Sequence, residues 1–292
     1  GSGPITRTLA LSNTATADGF SEALNAAFGS FTNNGAGIFT NNGGTVTGLL
    51  AGQTNATAMT VTMTPTSAGT INASVALQFA SNGTAIGNGL GVTPLSPQDL
   101  PLTVTISGVV GNLAQASAAT PNPVTFGTFR VGDAAPAQVA LAIGNVATAP
   151  AEGLNASIAT ASSGFSATGA FTSLAPGATN TTGLRVGFTD TASAGAKSGT
   201  ATITLASDGT FNSGVPTPLT PQTITLNAAV YRLAQASAHT PEPVTLANQR
   251  VGGTATQALS LTNTAANDGY SERLNASFTG TTGAATASGS FA

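Results

Sequence analysis

The sequence contains no cysteine and no tryptophan, and Lys197 is its single lysine. Without cysteine there is no disulfide framework, no thiolate metal site and no sulfur nucleophile. That absence leaves the compartment open, since exported proteins also do without it. Charge is scarce as well: Asp, Glu, Lys and Arg make up 6% of the residues, against about 25% in ordinary soluble domains. Ten acids and seven bases, for a net charge of −3, form neither a basic stripe for phosphates nor a polybasic patch for anionic lipid. Nucleic acid is thus excluded as an expected partner. No run approaches the ~20 apolar residues of a membrane-spanning helix, so no direct membrane insertion is expected of this segment. Residues 1–5 do not read as a signal peptide. With two tyrosines and no tryptophan, the stacking platform typical of carbohydrate-binding modules is missing.

What the chain does have is apolar residues, 41% of its 292, set among Thr, Ser, Asn and 36 glycines. Two to three ordinary domains fit in that length, each able to bury a core. An internal repeat organises them. LAQASAATP begins at Leu113 and LAQASAHTP at Leu233, an offset of 120 residues. The same offset carries Arg130-Val131-Gly132 onto Arg250-Val251-Gly252. A second landmark occurs three times, as LSNTATADGFSEALNAAF (residues 11–28), IGNVATAPAEGLNASI (143–158) and LTNTAANDGYSERLNASF (261–278). Three units follow: 1–112 lacking its first strand segment, 113–231 complete, and 232–292 the N-terminal part of a third repeat. The two incomplete ends belong to a longer repetitive protein, or neighbouring copies complete them by strand donation. Their overlap in content favours the first.

Within a unit, apolar residues alternate with small polar ones, the period of a half-buried strand. Leu259 and Leu261 alternate with Ser260 and Thr262, Val75, Leu77 and Phe79 with Ala76 and Gln78, and Ile203 and Leu205 with Thr202 and Thr204. For the middle unit this predicts strands near 124–126, 139–143, 154–158, 165–171, 184–188, 200–205 and 223–229. Seven short strands in about 120 residues, punctuated by turn residues, point to an all-β fold: tandem immunoglobulin-like β-sandwich repeats. A jelly roll or small barrel shares the local pattern. Pro121, Pro123, Pro216, Pro218 and Pro221 are expected at strand starts or in connections, where no ladder donor is lost.

The run Pro123-Val124-Thr125-Phe126-Gly127, then Arg130-Val131-Gly132, then a strand ending in Gly144-Asn145, resembles the bacterial choice-of-anchor D repeats. More distantly it is similar to the ASH-type immunoglobulin-like domains. The third unit carries Pro243-Val244-Thr245-Leu246, Arg250-Val251-Gly252 and Thr262-Asn263, with Ala247 in place of the glycine. The resemblance implies an exported, surface-anchored repetitive protein, extracellular or on a bacterial cell surface, and no catalytic residues.

Few residues carry chemistry. His239 stands where the preceding repeat has Ala119 and reads as an exposed loop residue. Asp18-Gly19-Phe20-Ser21-Glu22 recurs as Asp268-Gly269-Tyr270-Ser271-Glu272. Carboxylates four residues apart, Asp18 with Glu22 and Asp268 with Glu272, beside Asn13 and Asn263, suit a calcium ion at a domain edge. Against this, the middle repeat has lost the aspartate, and Asp-Gly equally makes a tight turn. Asp133 and Glu152 are a conceivable carboxylate pair without base, nucleophile or aromatic support, so no enzyme is expected and no cofactor beyond calcium.

The leading functional expectation is mechanical: a stalk, or a fibre or sheath component, in adhesion or biofilm matrix. Its partners are neighbouring repeats or copies of itself, through lateral packing or strand complementation. The alternative is an extracellular module binding glycan or protein through sandwich-end loops, above all the segment from Ser81 to Pro101, with Asn82-Gly83, Asn88-Gly89 and Asp99.

Overall fold

The computed structural model describes residues 3–33, 35–96, 103–160 and 162–291. In the first unit the alternating pattern folds into β1 (Ile5–Ser12), β2 (Ala23–Thr32), β3 (Gly37–Asn41), β4 (Thr45–Leu49), β5 (Thr54–Pro65), β6 (Gly69–Asn82), β7 (Val92–Pro94) and β8 (Thr103–Val110). One sheet runs β1-β5-β3 and the other β4-β2-β6-β7, with β8 also paired to β6.

The middle unit forms β9 (Val124–Arg130), β10 (Val139–Gly144), β11 (Leu154–Thr160), β12 (Phe165–Leu174), β13 (Thr179–Phe188), β14 (Gly195–Ser207) and β15 (Thr217–Tyr231). All seven strands expected from the sequence are present, each longer than the pattern showed. Their order is β10-β13-β12-β11-β14-β15-β9, and every pair is antiparallel except β15 with β9. The path folds into two layers because β12 changes partners along its length. Residues 165–169 pair with β13, and Ala170, Phe171 and Leu174 with β11. Between the layers lie Leu141, Ile143, Leu154, Leu184, Val186, Phe188, Ile203, Leu205, Ile224 and Leu226, all essentially inaccessible to solvent. Removing each such side chain from water stabilises the unit by about 1.5–3 kcal/mol. The fold is therefore an all-β sandwich.

The corner of β12 needs glycine. Gly169 has φ +118°, and a Cβ there would lie 2.0 Å from the Gly183 carbonyl oxygen. The first unit makes the same turn with a break between β3 and β4, where a Cβ on Gly44 would lie 1.9 Å from the Ala58 carbonyl oxygen. Ala58 and Gly183 hold matching places, each just before the residue that pairs with the centre of β1 or β10 (Met59 with Leu9, Leu184 with Leu141).

Two features depart from the sequence expectation. Pro218 is at the start of β15, as expected, but Pro221 lies inside the strand. It is tolerated because β9 pairs β15 only from Leu226 onward, and the β14 ladder shifts register between Ile203 and Leu205, opposite Pro221. The alternating run 259–262 is not a strand: it makes a single bridge, Thr240 with Ser260. In the middle unit the equivalent β10 is held by β13, and the third unit offers no such strand among the described residues. There only β16 (Ala276–Ser277) and β17 (Ser290–Phe291) pair. Even so, its opening segment keeps the middle unit's arrangement: the bridges Ala236–Asn263 and Thr240–Ser260 copy Ala116–Asn145 and Thr120–Ala142.

The first two units differ in one respect over the described residues. In the middle unit β9 lies parallel to β15, with Val124 opposite Leu226 and Phe129 opposite Val230. Phe126 and Phe129 extend over the core against Phe165 and Phe188, with ring centroids 5.4–6.2 Å apart. No described strand takes this place beside β8. The first unit's apolar interior comprises two smaller clusters, with Leu9, Phe28 and Val104 packed against both.

Candidate functional site

An asparagine is the third residue of each copy of the threefold landmark, and the structure gives all three the same task. Asn145 is fully buried; its Nδ2 donates to the Glu152 and Leu174 carbonyls, both at 3.0 Å. Its Oδ1 accepts from the Gln115 and Ala147 backbone N–H groups at 3.1 and 3.3 Å. Asn13 donates to the Glu22 and Leu49 carbonyls and accepts from Ala15 N–H. Asn263 donates to the Glu272 carbonyl and accepts from Gln235 and Ala265. These amides tie a loop to the strands around it. The signal for this role was in the sequence, as a polar residue recurring at the end of an apolar strand, but it reads there as a turn or a ligand.

The carboxylates named as calcium candidates are spent singly on protein donors. Asp18 accepts from the Phe20 N–H at 2.9 Å, an Asx turn. Glu22 accepts from Ser81 Oγ and from Asn88 Nδ2, and these donors lower its pKa from the usual carboxylate value. Glu152 takes the same place in the middle unit, accepting from Ser207 Oγ at 2.5 Å and the Phe211 N–H at 3.0 Å. Asp268 receives Arg232 Nη1 on both oxygens, at 2.8 and 2.7 Å. Arg232 therefore holds its pKa below the ordinary value, helped by the Tyr270 N–H. Glu272 takes Arg130 in a two-pronged ion pair, at 2.5 and 3.1 Å.

Asp133 and Glu152 do not form a pair. Asp133 accepts from the Arg130 N–H in the turn after β9, whereas Glu152 is buried beneath the β14–β15 loop. His239 is half exposed and contacts Glu242. Among the described residues no three His, Asp or Glu side chains converge on a metal-sized site.

What these residues build is a junction between units, made twice. Where β8 ends, Asn112 bridges to Ala151. Its N–H donates to the Pro150 carbonyl, its Nδ2 to the Thr148 carbonyl, and its own carbonyl accepts from the Glu152 N–H. Where β15 ends, Arg232 bridges to Ser271, donates to the Tyr270 carbonyl and accepts from the Glu272 N–H. The second junction adds the Arg232–Asp268 and Arg130–Glu272 ion pairs and the Tyr231 ring packed 5.6 Å from that of Tyr270. At the first junction Phe211 lies over Gly111 so closely that a Cβ on Gly111 would be 2.1 Å from the ring.

The loop after Ser81 is braced inward over its described part. Asn82 is buried and donates to Asn25 Oδ1, Asn88 holds Glu22, and Thr84–Ile86 form one helical turn. Asp99 and Pro101 lie outside the described residues. A cleft of about 640 Å³ on this side is lined by Asn25, Val46, Gln78, Phe79, Pro94 and Leu95 among others, none of them titratable. A second hollow, about 490 Å³, runs along β8 between Ile5, Phe39, Met63, Val104, Ile106 and Val109.

No family model matches the chain, and no curated protein does. Solved structures similar to it include those of surface layer protein SbsC. One, of domains 1–6, has 12% identity and a TM-score of 0.27, covering 86% of this chain and 29% of that one. Another, of domains 4 and 5, has 11% identity and a TM-score of 0.25, covering 74% of each chain. This chain thus spans less than a third of the longer structure. The resemblance to choice-of-anchor D repeats rests on the motif alone.

Proposed function

We propose that the chain is a structural repeat region of a bacterial cell-surface or extracellular protein, serving as a stalk or as a component of a fibre or sheath. The observation that carries this reading is the repeated junction. Each unit's last strand runs directly into a bridge with the next unit's landmark loop, so the link is backbone-paired and not a free linker. Serial links of this kind resist bending, which suits a spacer. The scarcity of charge supports close packing of such spacers side by side, because burying an unpaired ion costs several kcal/mol. Electron microscopy of rotary-shadowed chains tests the reading: duplicating residues 113–231 lengthens a straight particle by one constant increment. Particles that fold back at the junctions would reject it. Protease treatment of intact cells checks location, with loss of the repeats expected before lysis.

A further inference from the structure

We propose that Tyr231 and Tyr270 are a site of oxidative cross-linking, at which a one-electron oxidant joins the two rings and ties the middle unit to the third by a covalent bond. The chemistry stands on their contact alone, whereas its use, stiffening a serial stalk, rests on the reading above.

These are the only two tyrosines of the 292-residue chain, and they meet although they belong to different units. Their ring centroids are 5.6 Å apart with the planes at 47°, inside the range of about 4.5–7 Å over which aromatic rings touch. Every other aromatic pair among the described residues joins phenylalanines of a single unit. Each tyrosine is fixed by its backbone. Tyr231 is the last residue of β15, opposite Arg130, and its carbonyl accepts the Val131 N–H. Tyr270 donates its N–H to Asp268 Oδ1 at 3.0 Å, and its carbonyl accepts the N–H of Arg232, the neighbour of Tyr231, at 2.9 Å. The first junction has neither ring: Gly111 stands in the place of Tyr231 and Pro150 in that of Tyr270. The two phenols thus occur together at one junction and are absent together from the other. Packing alone does not call for the hydroxyls, since the first copy of the landmark has Phe20 where the third has Tyr270.

In the reaction each phenol gives one electron and its hydroxyl proton to the oxidant. The phenoxyl radicals so formed carry spin on the carbons ortho to oxygen, and two such carbons couple into a C–C bond. The ring hydrogen on each coupled carbon then moves to the oxygen and restores both phenols. The chain loses two hydrogens in all, and one hydrogen peroxide, acting through a haem peroxidase, takes them up as two waters. Holding the rings in contact makes the coupling intramolecular and raises the effective concentration of one radical at the other. Composition directs the oxidant to these rings. Cysteine and tryptophan, which yield electrons more readily, are absent, and Met59 and Met63 lie in or against the first unit's core. The product closes the loop between residues 231 and 270, which removes freedom from the opened junction as a disulfide does from an unfolded chain.

The test treats the intact chain, in dilute solution, with a haem peroxidase and hydrogen peroxide. The expected product runs as a monomer under denaturing conditions, shows dityrosine fluorescence and is lighter by two hydrogens. Trypsin is expected to leave residues 198–232 joined to 251–273. Tyr231→Phe and Tyr270→Phe each keep the ring packing and abolish the link. Exchange of the Arg232 and Glu272 amides, which bond across this junction, is expected to slow roughly tenfold or more once the rings are joined. The Asn112 and Glu152 amides of the first junction stay unchanged. Tyrosines that are oxidised without joining, that join only between chains, or that join as readily in a chain unfolded by urea overturn the site. A link that leaves the Arg232 and Glu272 amides exchanging as before overturns its role as a lock. None of these results alters the particle lengths that read the serial stalk, so the two can fail separately.

Discussion

Gly169 faces the carbonyl oxygen of Gly183 with no room for a side chain, a Cβ falling 2.0 Å from it. That approach is where β12 leaves one layer of the sandwich and joins the other. Gly169→Ala is expected to cost about 2–3 kcal/mol through strained backbone and displaced neighbours. Gly177→Ala, at φ +79° but in open space, is expected to cost about 1 kcal/mol. Hydrogen exchange of the β12 and β13 amides reads both, and equal effects would show that φ alone matters at the corner.

Asn145 serves four backbone groups in a site closed to water. Asn145→Ala orphans them at about 1–3 kcal/mol for each group left unpaired, so the middle unit is expected to lose roughly 3 kcal/mol or more in denaturant unfolding. Asn263→Ala, on the exposed third unit, is expected to cost about 1 kcal/mol or less, because water replaces the amide.

The pairing of Arg232 with Asp268 makes the second junction sensitive to acid. The folded pKa of Asp268 lies below its ordinary 3.8, so the unfolded loop binds its proton first as pH falls. The contribution is complete above about pH 3.8 and is lost as pH drops through the depressed folded value. Carbon-detected NMR titration checks it: Arg232→Gln is expected to raise the Asp268 pKa toward its ordinary value. An unmoved titration would mean that the Tyr270 N–H, and not the guanidinium, holds the carboxylate.

Phe126 is expected to hold β9 in place. Phe126→Ala removes the ring packed on Phe165 and Phe188, at about 3 kcal/mol or more. The strand is expected to detach before the sandwich unfolds, since its other anchor is the ladder from Leu226 to Tyr231. Faster exchange confined to the amides of β9 and β15 would show this. Uniform loss across all seven strands would place β9 inside the cooperative unit.

Much of this protein is legible along the chain. The 120-residue offset, the period of two and the spacing of turn residues reveal the repeats and all seven strands of the middle unit, because a side chain's inward or outward direction follows from its position alone. The roles of the polar residues are not legible in that way. Asn13, Asn145 and Asn263 look like ligands or turn formers until the carbonyls of Glu22, Glu152 and Glu272 are seen beside them. Asp18 and Glu22 are close in sequence, yet one closes its own turn and the other reaches across to Ser81 and Asn88. Over the described residues the run 259–262 makes only the Thr240–Ser260 bridge, because no counterpart of β13 is among them.

By itself, then, the sequence determined where strands begin, which face of each turns inward and how often the pattern recurs, all properties of neighbouring residues. Tertiary structure alone decided which carboxylate meets which donor, where β12 crosses between layers, and which residues tie one unit to the next. Those outcomes depend on contacts between residues tens of positions apart, and a hydrogen bond or a close approach at that separation leaves no local trace in the chain.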